Sequence, residues 1–178
     1  MNDPDMGYWE YTYDHNGNLL TQTDEKLQTV TFAYDKLNRV TSKTYSTSDP
    51  TVSYFYDEPS VLNGKGRLYA VSNSQVTTTY DAYDHMGRTL TVTKTIIGDQ
   101  ARTTRHEYDL SGKGTATTYP DGYRVENTYY PGTNLLHAVT GSDAIQYAKC
   151  TSYQPTGKMG LLEHENGTST TYSYDPWS

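Results

Sequence analysis

Apolar and polar positions alternate along this chain with a period of two. Val30, Phe32 and Tyr34 interleave with Thr29, Thr31 and Ala33, and Val52, Tyr54 and Tyr56 repeat the pattern one segment later. Successive side chains of a strand point to opposite faces, so the alternation predicts strands with one packed face. No segment sustains the i, i+3, i+4 spacing of an amphipathic helix. The predicted fold class is all-β.

The strands recur. A tyrosine closes each one, at Tyr13, Tyr34, Tyr56, Tyr83, Tyr108, Tyr129, Tyr153 and Tyr174, with successive tyrosines 21 to 27 residues apart. A period in the twenties makes each unit one supersecondary element that stacks on its neighbours. In most units an aspartate follows directly: Asp14, Asp35, Asp57, Asp84, Asp109 and Asp175. Its carboxylate accepts backbone N–H groups just downstream and so opens a turn. Three residues on stands Gly17, Asn38, Gly87 or Gly112, with Gly157 in the seventh unit; these residue types tolerate positive φ. Asn18, Arg39, Arg88 or Lys113 comes next, then usually an apolar residue such as Leu19 or Val40 that begins the return strand. Each unit therefore reads as a β-hairpin.

The units differ in informative ways. After Asp57 the third runs EPSVLNGKGRL, in which Gly66, Arg67 and Leu68 resume the pattern, a loop lengthened at its tip. The fourth has Asp81 where others place Tyr11, Phe32, Tyr54 or Tyr172, and Tyr80 beside it predicts a bulge or a slip of one residue. The fifth puts Gly114 at the return position, and the sixth and seventh replace the turn aspartate with Tyr130 and Gln154. Those three turns are expected to be less regular.

Composition changes the picture in one respect. Leu, Ile, Val and Phe make up only 26 of 178 residues, a fraction that accompanies disorder in highly charged chains. Tyrosine, present 19 times, supplies the missing apolar area, since a packed ring removes a large surface from water while its hydroxyl keeps a hydrogen bond. A net charge of −7 opposes nucleic-acid binding, which needs a basic face. No apolar run approaches the ~20 residues of a membrane span. The start, MNDPDMGYWEY, has neither the basic nor the apolar stretch of a signal peptide. The single cysteine, Cys150, reads as a small buried hydrophobe.

Tyr-Asp-x-x-Gly-Arg-Leu at this period resembles the YD repeats of the Rhs family, shared by bacterial Rhs polymorphic toxins, the C components of Tc toxins and the teneurins. The resemblance covers Tyr8 to Asp175. It implies hairpins stacked into a curved or spiral antiparallel sheet, part of a hollow shell that encloses a toxin or effector in the bacterial members. The expected partners are neighbouring repeats and an enclosed cargo, and the expected localisation of the parent protein is secreted or cell-surface. About seven complete units are far fewer than a closed shell needs, so the chain reads as a fragment. Its expected organisation is a tail over 1–7 and one array over 8–178.

No candidate catalytic, cofactor or metal site emerges. His15, His85, His106, His137 and His164 lack the tight pairing that structural zinc requires, and one aspartate per unit falls short of the six to eight oxygens of a calcium site. Asp99 and Asp121 sit in glycine-containing turns. The self-cleaving aspartyl protease of the family is marked by a DPxG-type sequence. DPDMG stands at the wrong end for it, and Asp175-Pro176 continues as Trp177-Ser178, so no protease is carried over. The expectation is a structural, non-catalytic module. The alternative is a carbohydrate- or protein-binding module on a tyrosine-rich face, with Tyr8, Trp9, Tyr11 and Tyr13 as the densest group. Uncapped edge strands also predict self-association.

Overall fold

The computed structural model describes Asn2, Asp3, Asp5 and residues 7–175; Met1, Pro4, Met6 and 176–178 lie outside the described residues, and with them the Pro176-Trp177-Ser178 end and part of the expected tail. The described elements are all strands and turns. The chain divides into two compact units, Met1–Arg102 and Thr103–Ser178.

The first unit opens on a two-stranded ladder of β1 (Asn2–Asp3) and β2 (Gly7–Tyr8), with Asn2 opposite Tyr8. The repeats follow as β3 (Glu10–Tyr13), β4 (Leu19–Thr23), β5 (Thr29–Tyr34), β6 (Val40–Tyr45), β7 (Val52–Tyr56), β8 (Leu68–Ser72), β9 (Val76–Tyr83) and β10 (Thr89–Ile96). Each pairs antiparallel with the next, so sheet order is chain order. The second unit does the same with β11 (Arg102–Tyr108), β12 (Gly114–Thr118), β13 (Arg124–Tyr129), β14 (Leu136–Gly141), β15 (Gln146–Tyr153), β16 (Met159–His164) and β17 (Ser169–Thr171). This is the all-β array of consecutive antiparallel hairpins that the alternation predicts.

Every odd strand from β3 to β15 ends on its repeat tyrosine. Every hairpin it opens carries a bulge at the second residue of the return strand: Leu20, Thr41, Tyr69, Leu90, Thr115, His137 and Gly160 lie between the pairs that bracket them. Such a bulge raises the local twist and re-aims the side chain at its strand end. The fourth hairpin adds the bulge expected at Asp81, with Ala82 opposite Thr91 and Tyr80 opposite Val92.

The packed interior is thin. Among the described residues the buried apolar side chains are Val61, Ala70, Tyr83, Ala116, Ala138 and Cys150. A sheet with so little buried aliphatic area depends on contacts between adjacent hairpins, as in other repeat proteins.

Candidate functional site

The repeated motif places its chemistry at the turns, and one residue type does each job. The turn backbone is closed by the Asp35 N–H donating to the Arg39 carbonyl at 2.9 Å, and by the Asn38 N–H donating to the Asp35 carbonyl at 3.1 Å. Asn38 sits at φ 59°, the left-handed residue that follows a tight turn in a three-residue hairpin loop. The turns at Asp14, Asp84 and Asp109 repeat both bonds, with Gly17, Gly87 and Gly112 as the left-handed residue.

The turn aspartates Asp14, Asp35, Asp84 and Asp109 divide their two oxygens in one way. Oδ1 of Asp35 accepts the N–H groups of Leu37 (2.8 Å) and Arg39 (3.0 Å), while Oδ2 accepts Nε of Arg39 at 2.7 Å. Asp84 holds Met86, Arg88 and the Arg88 guanidinium in the same way. Asp109 holds Ser111, Lys113 and, at 3.2 Å, the Lys113 ammonium. In the first repeat the neutral amide of Asn18 replaces the cation, at 2.8 Å. These bonds favour the carboxylate form. The Arg39 backbone N–H leads in lowering Asp35, and the Asn18 amide leads for Asp14. At Asp109 partial burial pulls upward, but the Ser111 hydroxyl and Lys113 outweigh it and hold the pKa at about 2.

The tyrosine reaches backward. The hydroxyls of Tyr56 and Tyr83 donate to the carbonyls of Val40 (2.9 Å) and Leu68 (2.6 Å), each the first residue of the preceding repeat's return strand. In the second unit Tyr129 donates to Gly114 (2.9 Å) and Tyr153 to Leu136 (2.6 Å), the corresponding positions. The basic residue reaches forward. The guanidinium carbon of Arg39 lies 4.3 Å from the centroid of the Tyr56 ring, and its Nη2 donates to Asp57 of the next repeat at 2.7 Å. Arg67 lies over Tyr83 at 5.4 Å, Lys113 over Tyr129 at 5.1 Å and Lys158 over Tyr174 at 5.0 Å. One motif thus builds its own turn and holds both neighbours.

The irregular repeats depart less than their sequences suggest. The Asp109 turn has the full set of bonds, and the Gln154 turn keeps both backbone bonds, to Lys158 and from Gly157, at 2.8 Å each. Backbone geometry, which Gln supplies as well as Asp, sets the loop. The turn at Tyr130 is the one of the three that differs, closing one residue later on Leu135. Its ring packs edge-on against Tyr153 (6.1 Å) and His137 (4.8 Å) instead of capping the turn. The long loop after Asp57 is not an open tip. Asp57 N–H still donates to Arg67, but the Leu62 carbonyl takes the Tyr83 N–H at 3.0 Å and Asn63 Nδ2 donates to the Tyr83 carbonyl at 2.9 Å, so the insertion clasps the following repeat.

The remaining predicted positions are exposed or singly bonded. Tyr13, in the first repeat, is 59% exposed, and Tyr174 is 41% exposed. Asp175 is exposed. His15 and His85 face solvent, and His106 and His164 contact the threonine hydroxyls of Thr117 (3.3 Å) and Thr170 (3.2 Å). The forward reach of the base was legible only as a recurrent cation; its partner across the repeat boundary has no signal within one unit.

Known proteins confirm the architecture. Residues 13–50 match the family model of the RHS repeat. No curated protein sequence matches the chain. Among solved structures, it superposes on a crystal structure of TcdB2-TccC3 with a TM-score of 0.83 at 16% identity, covering 98% of this chain and 10% of that one. A Photorhabdus luminescens Tc holotoxin pore carrying a TccC3 mutation gives 0.81 at 17% identity, with the same coverage. TcdB2-TccC3 without its hypervariable C-terminal region also gives 0.81 at 17%. At these identities the likeness is one of fold, and the chain spans about a tenth of the length of the structures it matches. Residues 13–50 thus carry an RHS repeat, and the later hairpins share its closing tyrosine and turn geometry.

Proposed function

We propose that the array over residues 8–178 is a structural segment of a larger Rhs-type shell, that it performs no catalysis, and that the shell encloses a toxin or effector in a secreted or cell-surface parent protein. The observation that carries this reading is the use of the motif. Its tyrosine, aspartate and base are spent on the turn and on adjacent hairpins, as between Tyr56, Val40, Arg39 and Asp57. The likeness to Tc toxin structures supports the same assignment. The test is protease protection in the parent polypeptide. Enclosed cargo should survive digestion while the array is folded, and should be cut when Tyr56→Phe and Tyr83→Phe together loosen it. Equal digestion in both would refute enclosure.

One cleft favours a second reading, a carbohydrate-binding module. Trp9 and Tyr45 line a space of about 260 Å³ together with Gln22, Asp24, Gln28 and Asp49. Aromatic faces with nearby amides and carboxylates suit a sugar ring and its vicinal hydroxyls. Saturable quenching of tryptophan fluorescence by oligosaccharides, lost in Trp9→Ala, would establish it; no saturation at millimolar sugar would remove it.

A further inference from the structure

The insertion after Asp57 does more than close its hairpin. The Asp57 N–H donates to the Arg67 carbonyl at 3.1 Å, as the corresponding groups do in the shorter turns, so the turn itself does not require the added residues. They fold into a loop bonded to itself. The Val61 N–H donates to the Glu58 carbonyl, the Gly64 N–H to Val61 and the Arg67 N–H to Gly64, at 3.1, 3.0 and 2.9 Å. Gly64 is buried against Val61, where a Cβ would lie 2.8 Å from the valine side chain. Between this preformed loop and the turn of the second repeat lies a cavity of about 570 Å³, within the size range of small-molecule sites. Leu37, Pro59 and Val61 give it apolar walls, and Leu37 stands 70% exposed beside it. Two opposite charges, Glu58 and Lys65, line the same space. Glu58 is half-buried and accepts from the Ser60 hydroxyl at 3.0 Å, and among the described residues neither Glu58 nor Lys65 has an ion-pair partner. The other carboxylate there, Asp57, is already engaged by Arg39 and the Gly66 N–H.

We propose that this cavity binds a short apolar peptide with free termini, its ammonium on Glu58, its carboxylate on Lys65 and its side chains against Leu37, Pro59 and Val61. A half-buried carboxylate without a cation is unfavourable, and a ligand ammonium relieves it. The pair of charges sets the ligand class. A simple amine would be repelled by Lys65 and a fatty acid by Glu58, whereas a zwitterion satisfies both. Glu58 and Lys65 do not meet each other, so the ligand's own charges must stand apart. An extended chain gains about 3.3–3.6 Å per residue, which a short peptide supplies and a single amino acid does not. A loop held by its own bonds loses little freedom when the ligand enters.

Calorimetric titration of the intact chain with trileucine tests the site. Trileucine with free termini should bind one to one, and acetylating its N-terminus or amidating its C-terminus should each weaken binding about tenfold. Glu58→Gln should cost the free peptide a similar factor and leave the affinity of the acetylated peptide unchanged. Lys65→Met should act in the same way toward the amidated peptide. Leu37→Ala, outside the loop, should weaken all three peptides. Thermal unfolding verifies that each variant is folded at the titration temperature. Absence of saturable heat at millimolar trileucine overturns the proposal. So does an equal loss of the free and acetylated peptides in Glu58→Gln, which would make the carboxylate a support of the loop and not a ligand contact.

Discussion

The Tyr34 hydroxyl donates to the Leu19 carbonyl at 2.8 Å, one hairpin back along the sheet. That bond recurs at Tyr56, Tyr83, Tyr129 and Tyr153, so the repeat tyrosine works as a tie between hairpins as well as a packed ring. Deleting one hydroxyl leaves a half-buried carbonyl without its partner. Tyr56→Phe should therefore destabilise by about 1 kcal/mol, while Tyr13→Phe, at an exposed ring in the first repeat, should change little. Urea unfolding of the two variants against the parent chain measures the difference. Equal effects would mean that the hydroxyl bond is incidental.

Arg39 holds Asp35 with Nε and Asp57 with Nη2 while stacking on Tyr56. A lysine ammonium is a point charge with neither the fork nor the flat face for this arrangement. Arg39→Lys should lower the urea midpoint nearly as far as Arg39→Ala. Arg102→Lys, in an exposed pair with Asp99 at 2.9 Å, should leave it unchanged. Rescue by lysine at position 39 would show that charge alone suffices there.

The turn aspartates also set a pH limit. Asp35, Asp57, Asp84 and Asp109 all have folded pKa values below the ordinary carboxylate value, Asp109 at about 2. A lowered folded pKa contributes stability that is present above the unfolded pKa, near 4, and is lost as pH falls toward 2. The urea midpoint should be flat from pH 7 to 5 and fall steeply below 4. Asn at positions 35, 84 and 109 together should lower the neutral plateau and flatten the acid slope. An unchanged slope in that variant would assign acid sensitivity to other groups.

Much of this was legible in the sequence, and the reason is local. The alternation of Val30, Phe32 and Tyr34 and the Asp-x-x-Gly turns act within a dozen residues, so period and turn chemistry read directly. What crosses between repeats did not read. The bulge at Thr41 or Gly160 has no residue type in common, because it follows from pairing the tyrosine across a three-residue loop. The partners of Arg39 lie 17 and 18 residues on as well as in its own turn, and only register brings them together. The Gln154 turn shows the opposite case, a sequence irregularity that the backbone absorbs.

Leu27 isolates the cost of a left-handed residue. It stands at φ 61°, at the position of Asn38 in its own turn, and is 81% exposed, so its side chain gives little packing in return. Leu27→Gly should stabilise by ~0.5–1 kcal/mol. Gly87→Ala should do the reverse by more than about 1 kcal/mol, since φ is 85° and the new Cβ would lie 2.0 Å from Arg67 Nη1. Thermal unfolding of both variants tests the pair.

The edge of the first unit leads to the last expectation. All four residues of β3 are exposed, and among the described residues β3 ends the order of its sheet, with β4 on one side only. An open row of backbone donors and acceptors beside exposed Tyr11 and Tyr13 is a template for another strand, and charge on an edge is the usual protection against that. Here Glu10 is the sole charge on the strand. Purified chain should therefore associate as its concentration rises, and Tyr11→Lys with Tyr13→Lys should keep it monomeric without lowering its melting temperature appreciably. Light scattering across a hundredfold concentration range reads the outcome. A strict monomer throughout would show that β3 is protected by something other than a pairing partner, and a lysine variant that still associates would move the contact to another surface.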